Sequence, residues 1–589
     1  MVKLKERSYD LLYQTLDVPF PHTIYTPTSP SLCLIKSKKF LHTDLLPDKD
    51  TSWAGPLTSH QTSSAAIAYS TLKLASIQVL QTSFASLLVL SLFLHALSSS
   101  TLVHYMLDQH RHVSWAVLWC TFLALFLYIR SRPLRVFMVD YSCFKPDFDQ
   151  KASFEVCEYI LSRSDRVTPA SDQFMKGIYR KSGLGDETYL PPYILNNDDT
   201  TNRHAAALEE LEQGMYGAVS DLLAKTGVSA SDIDHVIVTC GVMSPSPSPT
   251  SMIVNRFGLK ESVRTFNLSG MGCGSGVMAV DLAGRLLRRE RKPSYALVVV
   301  TESISLNWYF GDNRSMLVTN CIFRQGAAAA LMTNQRTGSV KLELVRWLRT
   351  HHGADDRSYR AAFQEEDEQG TAGFALTKDL IRVAGEGLRA HIRTLAPRVL
   401  PYSQLLAYSY ASLKSRLLGA DAAKPQVPDF TTAFEHICVH TGGKAVIENI
   451  SRVLKLGDHV TEPSRMTLHR FGNTSSSLVF YEYAYFEAKQ RVKKGDKVWM
   501  LAFGTGFKVG SLVWKAMRDS SPDSTNPWAD CIHSTKLQKV EPGGRSVPEE
   551  VSELEGRSLI AWTVDGDPTA HFHEWMHEDA TLLQDLPVK

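Results

Sequence analysis

The sequence predicts an α/β protein preceded by a two-helix membrane hairpin, and three observations carry that prediction. From Leu134 to about Trp514, short β-rich runs alternate with helical stretches, a pattern that builds an α/β core. A strand-like run, a glycine turn and a helix-like run recur around Cys273 and around His440, which points to a duplicated half. Two long apolar runs lie ahead of this region.

Residues 1–68 are rich in Ser, Thr and Pro, as in Tyr25-Thr-Pro-Thr-Ser-Pro30. With little periodicity they read as a mobile arm. The first strongly apolar run begins only near Val79, so no signal peptide is expected. Residues 69–132 read as the hairpin, with spans over 79–97 and 113–129. The second is at the short end of what crosses a hydrocarbon core. Its flanks favour a membrane: Trp115, Trp119 and Tyr128 suit interfaces, and Arg130, Arg132 and Arg135 follow at once. Positive charge there places the C-terminal side in the cytosol. A first α/β half is expected over 133–345 and a second over 346–518, with a polar tail over 519–589. Val236–Cys240, Tyr295–Thr301, Ala327–Thr333 and Lys497–Phe503 read as buried strands. Glu209–Lys225, Leu380–Leu395 and Val446–Leu454 read as helices. The acidic stretch from His352 to Gly373 reads as a solvated loop.

Composition excludes several functions. The 589 residues carry 63 Lys and Arg against 61 Asp and Glu, a formal charge of +2, which gives no electrostatic case for nucleic acid. Gly270-x-Gly272-x-x-Ser275 lacks the third glycine of a dinucleotide fingerprint. The nine cysteines are scattered, which suits a reducing compartment.

The chemistry-bearing residues lie in three blocks. In Asn267-Leu-Ser-Gly-Met-Gly-Cys273-Gly-Ser-Gly276 a cysteine stands among glycines just before an apolar run. A thiol at a helix N-terminus ionises more easily, which makes Cys273 a candidate nucleophile; the competing reading is a small buried hydrophobe. Phe434-Glu-His436-Ile-Cys438-Val-His440-Thr-Gly-Gly443 and His469-Arg-Phe-Gly-Asn473-Thr-Ser-Ser-Ser477 each follow a strand-like run. A Cys, a His and an Asn held in this way can form and use a thioester, two of them stabilising charge on a bound carbonyl. On a strand His436, Cys438 and His440 would share a face. No further ligand follows at metal spacing, so no metal is expected.

These blocks closely resemble those of the plant and algal type of membrane-bound β-ketoacyl-CoA synthases, which elongate very-long-chain fatty acids. Ser182–Pro192, Pro245–Asn255, Gly311–Met316, Arg349–Asp356 and Ala502–Lys508 fit the same family, in order, from about Tyr69 to Asp530. Ser269, Gly274-Ser275 and Val509-Gly510 depart from its usual residues; these small-for-small changes bear on chain-length preference or rate.

The resemblance implies a thiolase-like fold, two pseudo-duplicated halves stacked in a five-layer αβαβα sandwich, and a homodimer. It implies decarboxylative Claisen condensation of a long-chain acyl-CoA with malonyl-CoA, with no cofactor. Cys273 would carry the acyl group, with His440 assisting as base in that loading step, and His440 and Asn473 would then stabilise the enolate. The Cys273 amide and the Gly504–Gly506 loop would form a second oxyanion hole. His351, His436 and His469 would support the site. The implied location is the endoplasmic reticulum membrane, catalytic domain toward the cytosol, beside a β-ketoacyl reductase, a hydroxyacyl dehydratase and an enoyl reductase. Two rival readings are a type III polyketide synthase-like condensing enzyme and a catalytically silent scaffold subunit.

Overall fold

The computed structural model describes residues 115–126, 134–163, 167–196, 203–418, 427–440 and 442–533. The expected arm, the first apolar run and residues 534–589 lie outside them. Of the second run, 115–126 is helical, with Trp115, Val117, Leu118 and Phe122 exposed. Among the described residues no helix is long and apolar enough to cross a membrane.

The strands are β1 (Phe137–Cys143), the short pair β2 (Lys151–Ala152) and β3 (Thr188–Tyr189), β4 (Ile233–Cys240), β5 (Arg264–Ser269), β6 (Tyr295–Thr301), β7 (Ala327–Thr333) and β8 (Leu342–His351). A hairpin, β9 (Ala362–Glu366) and β10 (Ala372–Leu376), precedes β11 (His436–Val439), β12 (Lys497–Gly504) and β13 (Lys508–Ala516). Nine of them join in the order β11-β12-β13-β8-β1-β7-β6-β4-β5. The helices that matter here are α1 (Arg203–Thr226), α2 (Pro249–Phe257), α3 (Ser275–Arg289), α4 (Leu380–Val399), α5 (Lys444–Leu454), α6 (Asp458–Phe471) and α7 (Leu478–Ala488).

The sheet repeats itself. Along β1-β7-β6-β4 the pairings run antiparallel, antiparallel, parallel; β8-β13-β12-β11 repeats that sequence. A short β1–β8 pairing joins the two halves. Each half then turns through a 3-10 segment into a buried helix, Gly272–Gly274 into α3 and Ser475–Ser477 into α7. β5 lies parallel to β4 just before the first turn. Before the second, the backbone makes one isolated bridge, Phe323 to Asn473.

Alternation of side chains along the strands sorts the core into layers. On β6, Leu297 and Val299 face the cluster of α1 and α2, whereas Ala296, Val298 and Val300 face α3 and α7. On β12, Trp499, Leu501 and Phe503 face α4 and α5, whereas Val498, Met500 and Ala502 face α3 and α7. Helices α3 and α7 therefore lie between the two halves of the sheet, and α1, α2, α4 and α5 cover its outer faces. Strands buried on both faces need unbroken apolar runs, which is why these were readable in the sequence. Leu478 to Glu487 on α7 are all buried, as befits a helix apolar all round.

Three expectations are corrected. The run before Asn473 is helix α6, not a strand; Asp458 opens it and His469 and Arg470 close it, a charge order that suits the helix dipole. The acidic stretch is not a bare loop: it holds the β9–β10 hairpin, whose turn is fixed by Asp367 Oδ1 accepting from the Gln369 and Thr371 N–H groups. Residues 519–533 are no tail. Trp528 is fully buried, and its indole N–H donates to the Tyr481 carbonyl at 2.9 Å.

Candidate active site

Cys273 sits in the Gly272–Gly274 turn that leads into α3. The glycines around it serve close approach of two loops. A Cβ on Gly272 would lie 2.8 Å from the Thr505 amide nitrogen, and one on Gly504 would lie 2.5 Å from the Met271 carbonyl. Gly506 adopts φ +98°, where a side chain would be strained. The Lys508 ammonium latches this loop by donating to the Thr505 carbonyl at 2.7 Å.

His440 follows β11 directly, its N–H donating to the Leu501 carbonyl at 2.9 Å. The preceding residue is pinned from α7: Glu482 accepts from the Val439 N–H at 2.8 Å and from the Ser464 hydroxyl at 2.6 Å. Burial draws the His440 imidazole down to about 4, so it is neutral at physiological pH. Among the described residues its Nδ1 has no hydrogen-bond partner.

Asn473 is held by its backbone between Ile322 and Arg324. Its Oδ1 accepts from the Ser475 N–H at 2.9 Å, which leaves the amide Nδ2 as the donor for a ligand. Cys273, His440, Asn473, Gly504 and Gly506 line one cavity of about 340 Å³. The same cavity is lined by Phe363 and Phe374 from the hairpin and by Leu380 and Ala384 from α4. A few convergent polar groups in a largely apolar pocket is the usual form of a small-molecule site.

Two residues at the centre were not among the expected ones. Ser475 contacts the Cys273 sulfur at 3.5 Å and Glu302 Oε2 at 3.1 Å. Glu302, at the end of β6, is buried and also lines the cavity. The sequence signal was faint: one Ser in a run that reads as a helix start, and one Glu after a strand. The Cys273 thiol also departs from expectation. It is pushed up to about 12, chiefly by burial and also by the nearby Glu302 charge, while the Ser475 hydrogen bond lowers it.

The other histidines lie apart from the cavity wall. His351 Nδ1 accepts from the Gly353 N–H at 3.0 Å, and a Cβ on Gly353 would strike the Gly506 carbonyl, so His351 shapes the ground beneath the glycine loop. His436 bonds Asp496 at 2.9 Å and packs on Phe486. His469 packs against Gly185 at the end of α6.

Both the sequence and the fold have known relatives. Residues 128–417 match the family described as FAE1/Type III polyketide synthase-like protein, and residues 431–516 the 3-oxoacyl-[acyl-carrier-protein] synthase III C-terminal family. The chain is 45% identical over 429 residues to 3-ketoacyl-CoA synthase 11 of Arabidopsis thaliana, covering 72% of this chain and 84% of that protein. It is 43% identical over 444 residues to 3-ketoacyl-CoA synthase 16 of the same plant, covering 74% and 89%. The fold matches the C-terminal type III polyketide synthase domain of Steely1 from Dictyostelium, at a TM-score of 0.52 and 20% identity, covering 65% of this chain and 99% of that one. CsyB complexed with CoA-SH gives the same TM-score and identity, covering 65% and 100%. This chain therefore belongs to the 3-ketoacyl-CoA synthase family and is a condensing enzyme of the acyltransferase class.

Proposed function

We propose that the protein is a very-long-chain β-ketoacyl-CoA synthase that extends an acyl-CoA by two carbons from malonyl-CoA. The observation that carries this reading is that Cys273, His440 and Asn473 line one cavity together with apolar side chains such as Phe363, Phe374 and Leu380. Cys273 takes the acyl group from CoA as a thioester. Malonyl-CoA then loses CO2, and the enolate oxygen accepts hydrogen bonds from His440 and from Asn473 Nδ2. A neutral imidazole suits that task, because it donates an N–H without a fixed charge. The enolate carbon attacks the Cys273 thioester, whose oxygen would be met by backbone N–H groups of Cys273 and of the abutting Gly504–Gly506 loop.

The finer expectations belong to the same proposal: the five-layer description of the fold, a membrane hairpin over 69–132, the endoplasmic reticulum with the catalytic domain facing the cytosol, a homodimer, and a reductase, dehydratase and enoyl reductase as partners. A membrane setting suits the substrate, since each buried CH2 is worth about 0.8 kcal/mol. His351, His436 and His469 serve the scaffold around the site.

Membranes containing the protein, given labelled malonyl-CoA and acyl-CoAs of graded length, should yield products two carbons longer than each accepted primer. Cys273→Ala should abolish them. Pyrones or aromatic rings as products would overturn the reading in favour of a polyketide synthase-like enzyme. Folded protein that extends no primer would point to the scaffold.

A further inference from the structure

One helix beside the α/β core turns its apolar side outward. It runs over Tyr402–Leu418, joined to the end of α4 through Pro401. Along it Tyr402, Leu406, Tyr410 and Leu413 are 84, 69, 70 and 56% exposed. Steps of four, four and three residues bring these side chains within about 80° of one another around the helix. Ser403, Ala407 and Ser409 beside them are exposed as well. Residues off this stripe hold the helix to the protein. Leu405 packs against the cluster that α4 and α5 share with β12, and Gln404 Oε1 accepts from the Asp429 N–H at 3.4 Å.

We propose that this helix docks on the surface of a negatively charged bilayer and gives the catalytic domain a membrane contact of its own, separate from the hairpin. The apolar stripe enters the boundary between headgroups and acyl chains, with the two tyrosines keeping their hydroxyls at the wet side. The basic side chains near it meet the lipid phosphates. This inference rests on the membrane setting proposed above and adds what holds the domain in one orientation there. A single tether leaves a domain free to tilt; a second contact fixes it. α4 connects that contact to the chemistry, since Leu380 and Ala384 at its start line the cavity and its end leads into the docking helix.

Charge and size select the bilayer over other covers. From Gly387 to Ala420 the chain carries Arg389, Arg393, Arg398, Lys414 and Arg416 and no Asp or Glu, whereas the whole protein is close to neutral at +2. Arg398, just before the helix, and Lys414, near its end, are exposed. Anionic lipid attracts basic residues held near its surface, and the cytosolic leaflet is the negative one. A second copy of this chain is the other natural cover for an apolar stripe. From Tyr402 to Leu413 that stripe is about 16 Å long and about 10 Å wide, far short of the roughly 800 Å² that each partner of a stable dimer buries. Pairing two copies through it would also bring two basic segments together. A bilayer sets no such minimum, because the hairpin already supplies attachment.

The test is photolabelling of the full-length protein in phosphatidylcholine vesicles, with and without phosphatidylserine, in which some phosphatidylcholine carries a diazirine in its acyl chain. Peptide mass locates the label. Peptides covering Tyr402–Lys414 should take up lipid, and phosphatidylserine should raise that uptake severalfold. Leu406→Asp combined with Tyr410→Asp should lower it by about tenfold or more, with labelling of residues 113–129 unchanged. Lys414→Glu should remove most of the gain from phosphatidylserine, and as a single surface charge it serves as the test should the double variant fail to fold. Label on 113–129 with none on the helix would overturn the docking and leave the membrane setting standing; a second copy or another segment of the chain would then cover the stripe. Uptake indifferent to phosphatidylserine and to Lys414→Glu would overturn it too. Label on neither segment would overturn the membrane setting, and this inference with it.

Discussion

At Asn473 the difference between an amide and a carboxylate decides which charge the cavity can hold. Ser475 N–H already occupies Oδ1, so Nδ2 remains to meet the enolate oxygen. Asn473→Asp keeps the shape, but replaces that donor with an anion that repels the enolate. Condensation should fall by at least 10²-fold, about 2.7 to 4 kcal/mol for a lost oxyanion donor. Labelled malonyl-CoA incorporation checks this, and an unchanged rate would remove Asn473 from the chemistry. Cys273, His440 and Asn473 were legible because each stands beside glycine in a distinctive block. Glu302 and Ser475 were not, since nothing local shows that residues so far apart share one hydroxyl proton.

At the scale of elements, the β9–β10 hairpin and the start of α4 supply apolar side chains to the cavity wall. Its strands were hidden behind the charge of Glu365-Glu-Asp-Glu368, although Phe363 and Phe374 turn toward the cavity. Ala384 lines that wall with a small side chain. Ala384→Phe should shorten the space, so that the longest accepted primers lose about tenfold in kcat/KM while shorter ones are spared; two CH2 groups left unburied are worth about 1.6 kcal/mol. A panel of acyl-CoAs with products read by mass measures it. An unchanged length profile would place the acyl chain elsewhere.

For the whole molecule, the buried histidines set a dependence on acid. His391 of α4 bonds Ser511 at 2.8 Å and Thr350 at 3.0 Å, and Ser511 also accepts from the Trp499 indole N–H. Burial draws His391 down to about 4, like His440. The unfolded chain then takes up a proton near 6.5 that the folded chain refuses until about 4. Stability is lost as pH falls across that window, by about 3 kcal/mol for each such group. The buried carboxyls of Glu210, Glu302 and Glu482 are raised and act in the opposite sense. Comparing urea midpoints of wild type and His391→Gln between pH 7.5 and 4.5 isolates the His391 share. The wild type should fall more steeply, and parallel curves would contradict the assignment.

The sequence by itself determined the α/β class, the doubly buried strands, the family and the three blocks that carry the chemistry, because apolar runs, glycine turns and reactive side chains are local properties. The tertiary structure alone decided what those blocks face. It set Glu302 behind Ser475, brought the Gly504–Gly506 loop against the Cys273 turn, folded an acidic segment into a wall of the cavity and packed Trp528, Cys531 and Ile532 into the core. Each depends on contacts between distant segments. Desolvation decided the rest, raising a thiol that its place before a helix predicts to be acidic: burial is a property of everything packed around the sulfur, and no single stretch of chain records it.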